Sequence, residues 1–457
     1  MSPPSGALTD LPTTRDESNR LTRPTPLVLS LVANVAVIGT GYVGLTTGAC
    51  LAHLGHTVVC ADIDPTKVEI LNSGVIPIVE NGLSELVAEG RASGRLSFVL
   101  GSATAARNCD IAFLCVPTPQ GDDGSADLSY VEAAAREIAS VLPFEAIVVN
   151  KSTVPVGSTK VVERAIQRPD VKVVSNPEFL REGSAVQDFL KPDRVVIGSD
   201  DQSAAMKVAS LYDGLTTRVI ITDPASAETI KYAANAFLAT KLSFINAIAA
   251  ICEGVGADIN DVVVGMGSDK RIGENFLRPG PGWGGSCFPK DSRALIKIAE
   301  DAGYSFDLLT GVVAVNDQQF DRVAAKVAAS VGGDLSGKRI AVWGLTFKAG
   351  TDDLRDSPAV SIVRRLLDSG ASVHAYDPTV EAPRSGVPMG VNISLSPIEV
   401  TKDADALVVL TEWDDFKWID PKTIALTMSG RVVVDARNLL DRSTWQKAGF
   451  AHVGIGR

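Results

Sequence analysis

The feature that most constrains the fold is a glycine-rich turn near the amino terminus, Gly39-Thr40-Gly41-Tyr42-Val43-Gly44. An apolar segment with strand composition, Asn34 to Ile38, comes before the turn, and a small, apolar helical segment, Leu45 to Leu54, comes after it. A second strand, Thr57 to Ala61, then ends at Asp62. This strand–turn–helix–strand order gives GxGxxG its meaning as a dinucleotide-binding fingerprint.

Each position of the fingerprint has a physical role. Gly39 makes the tight turn, Gly41 admits the pyrophosphate, and Gly44 lets the helix pack closely on the strand. The start of the helix supplies N–H groups for phosphate. Asp62 stands 18 residues beyond Gly44, where a carboxylate accepts from a ribose 2′-hydroxyl and repels a 2′-phosphate. The sequence therefore predicts NAD rather than NADP.

Three further strands lead into polar loops. Asp110 to Val116 is followed by Pro117-Thr118-Pro119, and Ala146 to Asn150 by the segment from Lys151 to Gly157. Ligands collect at the carboxyl ends of parallel strands, so both loops should border the cofactor. The strand Lys172 to Ser175 is followed by a motif that contains Glu178 and Glu182.

Glu178 and Glu182 are four residues apart, so they would share one face of a helical turn. The alternative is a solvated acidic face. Strand composition continues at Arg194 to Gly198 and at Arg218 to Thr222.

A long helix is predicted from Ala225 to Val255 by its apolar spacing. A helix of this length between two α/β halves is suited to a central spine and a dimer surface. Lys231 and Asn235 lie one turn apart and face the same way. A lysine on a helix is usually solvated, but its pairing with Asn235 on a largely apolar helix predicts an inward, functional side chain.

A second glycine-rich stretch runs from Gly280 to Asp291 and contains Cys287. If Pro289 opens a helix, then Cys287 lies at its positive end with Lys290 nearby, and both features favour the thiolate. The helix itself is predicted over Asp291 to Ala302. An isolated cysteine is usually a small buried hydrophobe, but the glycine frame predicts a nucleophilic thiol beside a bound ligand.

The C-terminal third repeats the architecture of the first. Lys338 to Gly344 and Ala371 to Tyr376 reproduce the opening strands, with Asp377 after the second, and Ala406 to Leu410 and Arg431 to Asp435 add two more. The GxGxxG pattern is missing, so a dinucleotide is not expected there. Cations stand near the strand ends instead and suit a phosphorylated ligand: Lys348, Arg355 and Arg437.

The predicted fold class is α/β, with two doubly wound Rossmann-like domains joined by a central domain built on the long helix. We divide the chain into a disordered extension at 1–30, an NAD-binding domain at 31–223, a central helical and dimerisation domain with the cysteine loop at 224–330, and a Rossmann-like domain at 331–457. The extension is rich in Pro, Ser, Thr and Asp and has no periodicity.

Composition narrows the function classes. The chain has 457 residues and a net charge of −11, which argues against general binding to nucleic acid or anionic membranes. Its six cysteines form no CxxC pair and its four histidines are scattered, so we expect reduced thiols and no metal site. No signal sequence is recognised and no apolar run approaches the ~20 residues of a membrane span. A cytoplasmic location is expected.

Four motifs together resemble the UDP-glucose 6-dehydrogenases of the UDP-glucose/GDP-mannose dehydrogenase family. They are GGSCFPKD at the cysteine, NPEFLREG around Glu178, Lys231xxxAsn235, and GLTFKxxTDDLR from Gly344. The resemblance covers about residues 34–440. Members typically have phenylalanine where this chain has Trp283 in the glycine loop.

The resemblance implies specific roles. Cys287 would be the nucleophile, Lys231, Asn235 and Asp291 would surround the reacting carbon, and Thr153 and Glu178 would hold the catalytic water, with Glu182 close by. The residues implied around NAD are Gly39, Gly41, Gly44, Asp62, Lys67, Thr118, Thr153, Lys290 and Arg355. Those implied around the UDP-sugar are Phe276, Leu277, Gly282, Lys348 and Arg437, together with Glu178, Glu182, Lys231 and Asn235. Arg271 would reach the substrate of a neighbouring subunit in a homodimer or larger homo-oligomer.

The implied activity is oxidation of UDP-glucose to UDP-glucuronate with two NAD. A thiolate suits it, because a thiol adds to the intermediate aldehyde and the resulting thiohemiacetal loses a second hydride. The resulting thioester is then hydrolysed. Alternatives are a GDP-mannose or other nucleotide-sugar dehydrogenase, a two-electron hydroxy-acid dehydrogenase, and a non-catalytic NAD-binding protein.

Overall fold

A computed structural model describes residues 32–121, 124–381 and 384–457. The extension at 1–30, which was predicted to be disordered, lies outside the described residues. Val32–Arg457 form one compact unit. It is built on two separate sheets that are connected by a helical segment.

The first sheet has eight strands in the order β3-β2-β1-β4-β5-β6-β7-β8. All neighbours pair in parallel except β6 and β7. The strands are β1 (Asn34–Ile38), β2 (Thr57–Asp62), β3 (Leu96–Leu100), β4 (Ile111–Leu114), β5 (Ile147–Asn150), β6 (Lys172–Ser175), β7 (Arg194–Gly198) and β8 (Arg218–Thr222).

Helices cover both faces of this sheet, as a parallel sheet requires. Val35 and Val37 of β1 enter the core on one face, while Ala36 and Ile38 enter the core on the other. The helices are α1 (Tyr42–His53), α2 (Pro65–Ser73), α3 (Leu83–Ala92), α4 (Ser102–Ala106), α5 (Ser129–Ala139), α6 (Ser158–Ile166), α7 (Ala185–Leu190) and α8 (Gln202–Ser210).

The second sheet has six parallel strands in the order β11-β10-β9-β12-β13-β14. They are β9 (Arg339–Trp343), β10 (Ser372–Tyr376), β11 (Asn392–Ile393), β12 (Ala406–Val409), β13 (Val432–Asp435) and β14 (Ala451–Val453). Its helices are α13 (Pro358–Asp368), α14 (Pro421–Thr427) and α15 (Arg442–Lys447), with 3₁₀ turns at Glu399–Thr401 and Asp414–Trp418.

Both sheets therefore contain the doubly wound strand order 3-2-1-4-5-6, which confirms the predicted α/β class with two Rossmann-like sheets. The division into domains at the stated boundaries stays a prediction. Three strands were missing from the sequence-based assignment: β3, β11 and β14. β11 has two residues and β14 has three, too few for an apolar pattern. β3 has five residues, LSFVL, and its apolar composition was overlooked.

The connecting segment contains α9 (Pro224–Val255), α10 (Ile259–Gly267), α11 (Phe288–Asp301) and α12 (Asp307–Ser330). Asp223 caps α9 by accepting from the Ser226 amide at 2.8 Å, and Pro224 occupies its first turn. Among the described residues, α9 is the helix that is long and apolar enough to cross a membrane. It packs against α11 and α12 and buries Glu228, Lys231 and Asn235, as a core helix does.

Glu228 connects α9 to the first sheet. Its carboxylate accepts from the backbone N–H groups of Gly157 at 2.6 Å and Thr159 at 3.1 Å, and from the Thr159 hydroxyl at 2.8 Å. These N–H groups open α6 and have no partner within that helix. The contact fixes α9, and with it Lys231 three residues later, against the carboxyl end of β5.

Candidate active site

One continuous cavity of about 1760 Å³ extends between the two sheets. Its lining includes Gly41 after β1, Thr153 after β5, Lys231 on α9, Cys287 before α11 and Arg437 after β13. Pockets for a single small molecule usually measure roughly 300–1,000 Å³. The cavity is large enough for two ligands, and Cys287 lines it. We call the part lined by residues of the first sheet its first half, and the part lined by residues of the second sheet and the glycine loop its second half.

The first half of the cavity fits a dinucleotide. Gly39 has φ +98°, and a side chain there would clash with the Cys115 carbonyl. A Cβ at Gly44 would lie 1.9 Å from the Gly39 carbonyl oxygen, whereas a Cβ at Gly41 would meet nothing within 4 Å. The turn is thus closed on the protein side at Gly44 and open on the cavity side at Gly41, where a pyrophosphate approaches the start of α1.

Asp62 lies at the end of β2 and lines the cavity. Its Oδ2 accepts from the Thr40 amide at 3.0 Å and the Thr40 hydroxyl at 2.6 Å, and it forms an ion pair with Lys67 at 3.2 Å. Burial alone would raise the pKa of Asp62, but the hydrogen bonds from Thr40 and Asp64 outweigh it, so the pKa is lowered. A fixed carboxylate suits a ribose diol. Thr118 donates to the Thr153 carbonyl at 2.9 Å and ties the two loops that border this half.

Cys287 is the residue before α11, and Pro289 stands in the first turn of that helix. It is partly exposed, while the five other cysteines are buried. This position at the start of a helix agrees with the prediction. The expected preference for the thiolate is not found. Burial raises the pKa of the Cys287 thiol to about 11, Glu178 and Asp291 add to this, and Lys231 acts in the opposite direction. The ammonium of Lys290 pairs with Asp291 at 2.6 Å.

The glycines before Cys287 allow close packing of the loop. Gly285 has φ +83°, and a Cβ at Gly284 would lie 1.9 Å from the Asp356 carbonyl oxygen. The Trp283 amide donates to Asn316 at 2.8 Å, and its indole Nε1 donates to the Ser243 hydroxyl at 2.8 Å. A phenylalanine at 283 has no such donor, so this chain holds the loop to α9 by an additional hydrogen bond.

Lys231 and Glu178 form a buried ion pair at 2.8 Å, with each side chain 4% exposed. Burial alone would lower the pKa of Lys231, but the neighbouring anionic groups, Glu178 first, outweigh it and the pKa is raised. The second Glu178 oxygen accepts from the Leu180 amide at 2.6 Å. Lys231 thus stays cationic beside the sulfur and points inward, as its pairing with Asn235 predicted.

Asn235 lines the cavity, but Asp291 is completely buried behind it. The Asn235 amide donates to one Asp291 oxygen at 2.6 Å, and Lys290 binds the other oxygen at 2.6 Å. Asp291 therefore orients Asn235 and Lys290 from behind. Direct contact between Asp291 and the reacting carbon stays a prediction.

Glu178 and Glu182 do not share a helical face, because residues 176–181 have no regular structure. The helical interpretation of their spacing was wrong, although both side chains line the same cavity. Glu182 accepts from the Ser286 hydroxyl at 2.8 Å and from Arg355 at 3.3 Å. Burial, with Asp353 adding to it, raises the pKa of Glu182 to about 7.

The second half of the cavity is cationic. Arg437 is held by the carbonyl oxygens of Leu410 at 2.8 Å and Phe347 at 3.1 Å. Lys348 lines the same half, and burial lowers the pKa of its ammonium. The fixed guanidinium of Arg437 and the partly buried Lys348 together suit a diphosphate.

The glycine loop and the residues before it form one wall of this half. Gly282 and Phe276 line the cavity, and Phe276 takes φ +61°, a strained conformation of the kind found at ligand sites. Leu277 is 1% exposed and packs behind the wall. Arg271 is not among the lining residues; its side chain is 89% exposed and pairs with Asp269 at 2.6 Å.

The sequence-based assignment missed several lining residues. The Arg194 guanidinium stacks over the Phe179 ring at 3.7 Å, and Glu412 lies 3.0 Å from Arg437. Phe179 stands inside the NPEFLREG motif and could have been found there. Arg194 opens a strand and Glu412 follows one, and nothing in their local sequence indicates a site.

Three family models match the chain in succession. The UDP-glucose/GDP-mannose dehydrogenase family, NAD binding domain, matches residues 33–216, the central domain of that family matches 225–318, and its UDP binding domain matches 341–442. The UDP-glucose 6-dehydrogenase of Rhizobium meliloti (strain 1021) is 48% identical over 433 residues, which cover 93% of this chain and 99% of that protein. UDP-glucose 6-dehydrogenase TuaD of Bacillus subtilis (strain 168) is 45% identical, with 93% of each chain covered.

Solved structures of nucleotide-sugar dehydrogenases are also similar to this chain. A UDP-glucose dehydrogenase from the hyperthermophilic archaeon Pyrobaculum islandicum superposes with a TM-score of 0.86 at 38% identity, covering 94% of this chain and 98% of that one. A UDP-D-ManNAc dehydrogenase from Pyrococcus horikoshii has a TM-score of 0.83 at 29% identity, covering 93% and 99%.

Proposed function

Because the chain belongs to the UDP-glucose/GDP-mannose dehydrogenase family, we propose that it oxidises UDP-glucose to UDP-glucuronate with NAD, through a covalent intermediate on Cys287. The observation that carries the proposal is the position of Cys287. Cys287 lines the same cavity as the glycine turn, Lys231 and Asn235, and as the cations Lys348 and Arg437. Lys231 interacts electrostatically with its sulfur. An enzyme that oxidises a primary alcohol twice needs a nucleophile at this point.

NAD supplies the oxidising capacity, since each of two molecules accepts one hydride. Gly39, Gly41 and the start of α1 hold its pyrophosphate, and Asp62 holds a ribose. Thr118, Thr153, Lys67, Lys290 and Arg355 complete the proposed cofactor residues, and all five line the cavity.

The UDP-sugar occupies the cationic half, where Lys348 and Arg437 bind the diphosphate. The glycine loop at Gly282, with Phe276, faces the nucleotide, and Leu277 supports this wall from behind. This placement directs the primary alcohol of the sugar towards Cys287.

The chain's residues then act in sequence. The alcohol is oxidised to the aldehyde, and the Cys287 sulfur forms a bond to the aldehyde carbon, giving a thiohemiacetal. Lys231 and Asn235 donate to the oxygen on that carbon, and preorganised donors of this kind contribute roughly 3–4 kcal/mol each to the transition state. A second oxidation gives the thioester.

Hydrolysis completes the reaction. Water held by Thr153 and Glu178 attacks the thioester carbon, and the carbon–sulfur bond breaks. One proton of the water returns to the Cys287 sulfur and restores the thiol, the other is lost to solvent, and the carboxylate product leaves. Glu178 suits this role because its carboxylate is fixed by Lys231 and by the Leu180 amide. Glu182, proposed with the substrate residues, lies across the cavity beside Ser286.

A panel of candidate substrates tests the activity. Purified protein and NAD are mixed with UDP-glucose, UDP-N-acetylmannosamine, GDP-mannose or a small hydroxy acid, and NADH is followed by absorbance. We expect UDP-glucose to be preferred, with two NADH formed per sugar. Preference for GDP-mannose would make the chain another nucleotide-sugar dehydrogenase of the family. One NADH per hydroxy acid, with none from the sugars, would contradict the proposal.

We also propose a cytoplasmic homodimer or larger homo-oligomer without nucleic-acid or membrane partners. An apolar stripe on α9, made of Phe237, Phe244, Ile251 and Val255, is 49–72% exposed. Its spacing of seven, seven and four residues places it on one face of the helix. Arg271 is exposed and pairs with Asp269, and its proposed role is to reach the substrate of a neighbouring subunit.

A further inference from the structure

The proposed reaction needs a thiolate, but the surroundings of Cys287 favour the protonated thiol. Charged side chains act on the sulfur in both directions: Lys231 favours the thiolate, while Glu178 and Asp291 oppose it. The Arg355 guanidinium also interacts electrostatically with the sulfur. Burial also opposes it and raises the pKa of the thiol to about 11. A base must therefore take the proton when the sulfur attacks.

The two carboxylates that oppose the thiolate are already bound. Glu178 accepts from Lys231 and from the Leu180 amide. Asp291 is completely buried and accepts from Asn235 and Lys290. Among the described residues, neither carboxylate forms a hydrogen bond to the sulfur, so the base must be reached by another route.

Ser286 provides that route. Its Oγ lies 3.6 Å from the Cys287 sulfur, and its hydroxyl donates to Glu182 at 2.8 Å. A hydroxyl has one proton. Since that proton is directed at Glu182, the oxygen presents a lone pair to the thiol. The order is S–H to Oγ, then O–H to carboxylate.

We propose that Ser286 relays the thiol proton from Cys287 to Glu182 as the sulfur attacks the aldehyde. The thiol proton moves to the Ser286 oxygen while the serine proton moves to Glu182, so the hydroxyl is unchanged. The freed sulfur pair forms the carbon–sulfur bond, the carbonyl π bond breaks, and the carbonyl oxygen is left as an alkoxide. Lys231 and Asn235 face that oxygen.

The surroundings of Glu182 suit a proton acceptor. Arg355 donates to it at 3.3 Å, and Asp353 pairs with the same arginine at 2.7 Å. Burial and the adjacent Asp353 raise the pKa of Glu182 to about 7, and the hydrogen bond from Ser286 and the charge of Arg355 limit the rise. A base with a pKa near the working pH is the most effective one. Glu182 also lines the cavity and can return its proton to solvent.

Variants of Ser286 test the relay, which rests on the proposed function. Turnover of UDP-glucose is run with semicarbazide present to capture any aldehyde that escapes. In Ser286→Ala the sulfur adds at least about tenfold more slowly, so aldehyde is captured and NADH per sugar falls from two towards one. Ser286→Thr keeps the hydroxyl and should restore two NADH. Ser286→Gly also lacks the hydroxyl and carries the test if Ser286→Ala does not fold.

The pH profile separates a relay from a purely structural role. Glu182 is a base only when ionised, so in the unaltered protein aldehyde trapping by Cys287 should weaken as the pH falls through about 7. Glu182→Gln should lack this limb and release aldehyde at every pH. Adding Ser286→Ala to Glu182→Gln should cause no further loss, because both remove the same route.

Ser292→Ala is the matched control. Ser292 is a buried serine on the same helix, and its hydroxyl has no hydrogen-bond partner among the described residues. It should behave as the unaltered protein. If Ser286→Ala forms two NADH per sugar with an unchanged pH profile, the relay is wrong and the proposed function stands. If the unaltered protein itself forms one NADH per sugar, the proposed function fails and the relay with it.

Discussion

At the residue scale, Cys287 shows what sequence can and cannot predict. Its position before Pro289 at a helix start follows from neighbouring residues. Its ionisation does not, because the pKa of the thiol depends on burial and on Glu178, which stands more than 100 positions away in the chain. The local cation Lys290, which favoured a thiolate in the sequence, is paired with Asp291 instead.

Asp62 carries the prediction on cofactor choice. Asp62→Asn keeps the size of the side chain and an acceptor for Thr40 but removes the negative charge that repels a 2′-phosphate. The ratio of kcat/KM for NADP to that for NAD should rise by about tenfold or more, equivalent to at least ~1.4 kcal/mol. Steady-state kinetics with both cofactors measure this ratio.

Asp64→Asn is the control for that change, because Asp64 caps α2 by accepting from the amide of Thr66 at 2.9 Å. It should leave the cofactor ratio unchanged. An unchanged ratio in Asp62→Asn as well would show that the carboxylate does not select the cofactor.

At the element scale, strand ends were easier to predict than the loops beyond them. The apolar strands before Thr118, Thr153 and Glu178 fix the edge of the sheet from which these residues extend. The prediction of a helical turn from Glu178 to Glu182 was wrong, because an i, i+4 spacing brings two residues together only in a helix. This segment is held instead by irregular contacts, such as the hydrogen bond that the Leu180 amide donates to Glu178. Such contacts leave no periodic signal.

The apolar stripe on α9 gives a prediction about assembly. If it is a subunit interface, Phe244→Asp places a charge in it and should dissociate the oligomer, because burying an unpaired charge is costly. Light scattering at micromolar concentration should show a homodimer or larger assembly for the unaltered chain and a monomer for Phe244→Asp.

Phe144 is 76% exposed outside α9, so Phe144→Asp is the matched control and should keep the assembly. Arg271→Ala should keep the assembly and raise the KM for UDP-glucose. A monomeric unaltered chain would contradict both expectations.

At the scale of the whole molecule, the two sheets repeat one architecture with different chemistry. Gly344 and Asp377 correspond to Gly39 and Asp62, and Asp377 accepts from the amides of Leu345 and Thr346 much as Asp62 does from Thr40. Asp377 is 3% exposed and also accepts from the Trp413 indole at 3.2 Å. The carboxylate of Asp377 therefore binds groups of the protein itself, while the carboxylate of Asp62 lines the cavity.

The sequence predicted this repetition because strands, turns and acids recur in the same order. It could not predict the single cavity between the sheets. That cavity depends on contacts between distant segments, such as Glu228 with the start of α6 and Ser286 with Glu182. Arg194 and Glu412 reach the cavity only because distant segments come together, and they were missed for the same reason.

The central claim is that Cys287 holds the half-oxidised sugar between two hydride transfers. Turnover of UDP-glucose is quenched with acid, and the protein is analysed by intact mass and peptide mapping, with Glu178→Gln used to slow hydrolysis. The account predicts a UDP-sugar adduct on the peptide that contains Cys287, and its loss in Cys287→Ser. No adduct, together with free aldehyde as the sole product, would contradict it.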